Sequence, residues 1–166
     1  RGRDGAVERA CAHAPLDEQP WLARGGEGTG MSAEVRVRAA VIDALRADAG
    51  LMDVLNGLYD GQPGRAAPPY AVMGECIASD WGAKGVDGRE VRLTVSLFDA
   101  GDRTDRIAGM LARVEAVMQA LDMAGEEWRV AGARLIRSRL MRTGARDGDG
   151  WRAIADYRVR VASAAV

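Results

Sequence analysis

Between Val91 and Leu97 the chain alternates without a break. Val91, Leu93, Val95 and Leu97 fall on one side of an extended segment, and Arg92, Thr94 and Ser96 fall on the other. A period of two marks a strand with one face packed and one face in polar surroundings, the pattern of an antiparallel sheet covered on one side. The pattern returns near the end, where Ala153, Ala155, Tyr157, Val159 and Val161 alternate with Arg152, Asp156, Arg158 and Arg160. Two such strands need a cover for their apolar faces.

Helices supply it. From Ala33 to Ala49 the residues Val35, Ile42, Leu45 and Ala49 recur at helical spacing with Val41 beside them, while Arg36, Asp43 and Arg46 lie off the stripe. The spacing predicts an amphipathic helix ended by Gly50, with Leu51 to Leu55 adding a short turn of helix before Asn56-Gly57. Turn chemistry at Asp60-Gly61, Pro63-Gly64 and Pro68-Pro69 precedes a mostly apolar strand from Tyr70 to Ser79. The loop Asp80 to Gly88 then leads into the Val91 strand. Ile107, Met110, Leu111, Val114, Met118 and Leu121 share one arc, which predicts a second helix over 102–121, capped by Asp102 and stopped by Gly125. Ala133 to Thr143 and Trp151 to Val161 form a hairpin about Asp147-Gly-Asp-Gly150. The order is helix, two or three strands, helix, two strands. It predicts an α+β fold in which two helices pack on one face of a mainly antiparallel sheet.

Residues 1–30 stand apart. They mix charges, glycine and prolines without period, and Met31-Ser-Ala-Glu reads as a fresh initiation. We read 1–30 as a non-native or flexible leader, either translated upstream sequence or an N-terminal arm. Residues 31–166 are read as a single domain, long enough to bury a core without metals or disulfides.

Catalysis has little to stand on. The only histidine, His13, lies in the leader, so neither a histidine-based triad nor a histidine metal site can be built in the core. Cys11 and Cys76 lack metal-ligand spacing, and Cys76 in its apolar stretch reads as a buried, inert thiol. The glycine-rich turns lack a Walker lysine, and Asp147-Gly-Asp-Gly150 lacks the later bidentate glutamate of a calcium loop. No enzyme, no metal and no cofactor is implied. No apolar run approaches the ~20 residues that span a bilayer.

Charge is more informative. Residues 31–128 carry 10 basic and 16 acidic groups, whereas 129–166 carry 9 arginines against 3 aspartates. A basic hairpin joined to an acidic body admits three readings: nucleic-acid binding, head-to-tail association of opposite faces, or a solvated sheet face. There is no aromatic stacking platform and no helix-turn-helix signature. Trp81, in a glycine-rich loop, is either tucked against its own sheet or offered to a partner.

The order of these features resembles a known family. The carriers are the helix from Ala33, Leu58-Tyr59-Asp60-Gly61, Pro69-Tyr70-Ala-Val-Met-Gly-Glu75, Asp80-Trp81, Asp87-Gly88 through Leu97, the second helix and the arginine-rich hairpin. Over about 35–162 the chain resembles the tail-terminator (tail-completion) proteins of tailed phages and phage-derived gene transfer agents. The resemblance implies a ring, typically of six subunits, that caps the tail tube, ends its polymerisation and helps join tail to head. Its implied partners are other copies of the chain, the tail tube protein and a head-completion (connector) protein, with DNA passing through the lumen unbound by sequence. The implied place is the cytoplasm during assembly and then the head–tail junction of the particle. A head-completion (stopper) role in the same kind of particle is the alternative, and a small DNA-binding module stands behind it. Trp81, Arg139, Arg142, Arg158 and Arg160 are the candidate subunit or tube contacts.

Overall fold

The strand from Gly88 to Ala100 (β3) sits in mid-sheet, and its odd-numbered side chains from 91 to 97 are apolar: Val91, Leu93, Val95 and Leu97 are all buried. The computed structural model describes residues 32–83, 85–123, 128–144 and 149–163. Before β3 come helices Ala33–Ala47 (α1) and Ala49–Met52 (α2), then strands Leu58–Asp60 (β1) and Tyr70–Asp80 (β2). After it come helix Asp105–Gln119 (α3) and strands Trp128–Thr143 (β4) and Gly150–Ser163 (β5). The five strands run in the order β1-β2-β3-β5-β4, antiparallel throughout except for the parallel pair β1–β2. The fold is the expected α+β arrangement with one covered sheet face.

That face meets α3 through Ile107, Met110, Val114 and Met118, and α1 through Val37, Val41 and Leu45. Ala153, Ala155, Tyr157, Val159 and Val161 of β5 complete the core. Burying each Val-, Leu- or Met-sized side chain is worth about 1.5–3 kcal/mol, so this single layer of contacts dominates stability.

Several details differ from the sequence reading. The buried stripe of α1 runs through Ala33, Val37, Val41, Ile42 and Leu45, while Val35 is 44% exposed and Ala49 is exposed. Asp48, not Gly50, ends α1: its backbone turns extended, and its side chain caps α2 by accepting from Leu51 N at 2.7 Å. Gly50 has a different task. A Cβ there would fall 2.3 Å from the Arg113 guanidinium, which crosses to Asp48 at 2.7 Å and ties α3 to the α1–α2 corner. Asp102 does not cap α3; Thr104 occupies the N-cap without a side-chain bond, and Asp102 pairs with Arg142 at 2.9 Å. Leu111 is half-buried at the margin of the core. Strand β1 stands where the sequence shows only turn chemistry. It is held because Asn56 donates to the carbonyls of Pro68 and Ala67 at 2.9 and 3.1 Å, setting Leu58 beside Ala71. Residues 1–31, Gly125 and Asp147-Gly148 lie outside the described residues.

Candidate assembly surface

The sheet face turned away from the helices is built from rows of side chains set by strand register. Glu90 of β3 lies opposite Arg160 of β5, then Arg92 opposite Arg158, Thr94 opposite Asp156, Ser96 opposite Ile154 and Phe98 opposite Arg152. Strand β4 extends these rows with Arg134 beside Arg158, Arg137 beside Asp156 and Arg139 beside Ile154.

Two carboxylates organise the rows. Glu90, 8% exposed, accepts from Arg160 Nε at 2.9 Å and from Arg92 at 3.3 Å, with Arg158 at 3.8 Å. The Arg160 hydrogen bond holds its carboxyl below the ordinary value. Asp156 accepts from the Thr94 hydroxyl and from Arg137 Nε, both at 2.6 Å, and the Thr94 bond chiefly lowers its pKa. Arg152 lies over the Phe98 ring at 4.9 Å, and Phe98 stacks on Tyr70 at 4.5 Å. A cleft of about 320 Å³ opens between Ile77 and Ile136, floored by Thr94 and Asp156.

The five candidate residues are not one cluster. Trp81 is half-buried under Arg160, whose guanidinium sits 5.0 Å from the ring, so Trp81, Arg158 and Arg160 gather around Glu90. Gly88 permits this: a Cβ there would meet the Trp81 ring at 2.9 Å. Arg139 stands on the same face further along β4. Arg142 is on the helix side at the far end of the hairpin, between Asp102 and Asp149, with Trp151 beneath it at 5.5 Å. Cys76 is half-buried and donates to the Glu34 carbonyl at 3.5 Å, and burial pushes its thiol pKa up.

Sequence reasoning missed the edge itself. Strand β4 is 16 residues long and forms the outer edge of the sheet. It exposes Leu135 and Leu140 on the helix side and Met141 on the other, with Ile136 standing out at the bulge between Leu135 and Arg137. The adjacent apolar pairs Leu135-Ile136 and Leu140-Met141 break the alternation, and that was the available signal. At the opposite edge β1 covers only Ala71 to Met73 of β2, and Ile77 beyond it is 54% exposed.

Among the described residues no group of three or more His, Cys, Asp or Glu side chains could hold a metal ion, and no helix is long and apolar enough to cross a membrane. Residues 39–162 match the family of tail completion protein gp17. The chain belongs to that family. Tail completion protein gp17 members are structural components of phage-type particles, not enzymes, and this chain is such a component. Among solved structures, it resembles a chain from the virion of a native gene transfer agent particle, with TM-score 0.67 and 24% identity, covering 80% of this chain and 99% of that one. It also resembles the gp17 protein of bacteriophage SPP1, with TM-score 0.53 and 14% identity over 81% of this chain and 95% of that one. Both likenesses are of fold. A comparison with curated proteins matches none of them.

Proposed function

We propose that this tail completion protein closes into a ring, of six subunits on the family resemblance, that caps the tail tube, ends its polymerisation and joins the tail to the head. The observation that carries the reading is β4: a long edge strand with large apolar side chains exposed on both faces. Such an edge invites association and is ordinarily blunted or covered. In a ring it is covered by a neighbour.

A closed ring needs a heterologous contact, one patch meeting a different patch on the next copy. The open stretch of β2 beyond β1 supplies the complement. It exposes Ile77 and carries Glu75 and Asp80, matching the apolar and arginine side chains of β4 in kind and in sign. In this arrangement Arg142 belongs to the subunit contact, and Arg139, on the open sheet face, borders it. Trp81, Arg158 and Arg160 are tied to Glu90 and shape the face beside it. The tail tube protein and a connector protein meet the two ends of the ring.

Electron microscopy of particles assembled with an Ile136→Arg, Leu140→Arg chain tests this. Tails of uncontrolled length, or tails without heads, are the expected outcome. Normal tails joined to heads would remove the β4 edge from assembly.

A further inference from the structure

The open sheet face carries a dense set of like charges. By register, eight arginines of β3, β4 and β5 stand on it against the two carboxylates Glu90 and Asp156. Arg92, Arg158 and Arg134 form one row straight across three strands. At ~4.8 Å per strand the row spans roughly 10 Å. Like charges directly opposite one another destabilise a sheet, and Glu90 offsets this for Arg92 and Arg158 but not for Arg134. Glu90 answers Arg160 first, and Asp156 answers Arg137. Among the described residues Arg134 and Arg139 make no salt bridge, Arg139 acting on Asp156 only at longer range, and both are exposed.

The helix layer of a second copy offers no matching acidic face. On 33–52 Glu34, Asp43 and Asp48 are balanced by Arg36, Arg38 and Arg46; on 103–122 Asp105, Glu115 and Asp122 are balanced by Arg103, Arg106 and Arg113. The helix layer is neutral, and the acidic excess of the body lies in loops and strand ends. The surface therefore fits a partner whose negative charge is continuous. Guanidinium groups match phosphate geometry with two parallel bonds, which lysine does not reproduce. Trp81 and Phe98 lie beneath Arg160 and Arg152 and are not offered for base stacking, which disfavours a single strand. A broad sheet face contacts phosphates without entering a groove, so it carries no base readout.

We propose that this face binds the phosphate backbone of double-stranded DNA without reading its sequence. The inference does not rest on the ring, since one subunit already presents the whole row.

Fluorescence anisotropy with the full chain and a short labelled duplex tests it. Affinity should fall steeply between about 50 and about 200 mM salt and be indifferent to base sequence. Arg134→Glu with Arg139→Glu should weaken binding about tenfold or more and flatten the slope of log K against log salt by about 2. Arg46→Glu, on the helix layer, should leave binding unchanged. Circular dichroism checks the fold of each variant, and Arg134→Ala with Arg139→Ala gives a milder pair should the charge reversal unfold. No wild-type binding at low salt would overturn the proposal, as would equal weakening by Arg46→Glu. Poly-glutamate competing as well as duplex of equal charge would overturn it too, in favour of a carboxylate-bearing protein partner.

Discussion

Arg160 donates to Glu90 across two paired strands at 2.9 Å, and Arg92 and Arg158 lean on the same carboxylate. One nearly buried glutamate thus holds together a face that would otherwise repel itself. Reversing Arg158 and Arg160 to glutamate would crowd new carboxylates against Glu90 and damage the fold.

The same bond sets an acid limit. The Glu90 carboxyl is held below its ordinary 4.5, so its contribution is complete above that value and is lost as pH falls through the lowered folded value. Glu90→Gln should cost about 1 kcal/mol near neutral pH, a figure reduced by the solvent around Arg92. It should also shrink the loss of stability below pH 4.5, read by urea titration at several pH values. An unchanged pH profile would place the acid-sensitive group elsewhere.

Helix α3 offers a graded test of the core. Ile107 is fully buried, whereas Leu111 only flanks the cluster. Ile107→Ala should cost about 2–5 kcal/mol and Leu111→Ala clearly less. Equal losses in denaturant titration would mean that Leu111 points inward.

Residues 1–30 are proposed to be dispensable, on their lack of any period. A chain shortened to begin at Met31 should keep the melting temperature and association state of the full chain. A loss of several degrees would make the leader part of the packed domain.

Much of the fold was legible because its periods are long. Val91 to Leu97 of β3 and Ala155 to Val161 of β5 alternate, and the fifteen residues of α3 keep an apolar arc, so packing and local pattern agree. The three residues of β1 are too few to show a period, and only parallel pairing with β2 makes them a strand. Asp102 reads locally as a cap, yet Arg142, forty positions away, takes it. The assembly surface was only half legible. Individual arginines were visible, but the row Arg92–Arg158–Arg134 comes from register among three separated segments. The exposed edge of β4 follows from its place in the strand order, at which the broken alternation of Leu135-Ile136 and Leu140-Met141 only hints.

Sedimentation velocity of the purified chain, alone and with tail tubes, joined to electron microscopy of the same samples, tests the ring most directly. A closed ring should form with rising concentration or at tube ends, weaken as salt is raised, and fail with Leu140→Arg. A folded chain that stays monomeric at every concentration, even with tail tubes present, would contradict it.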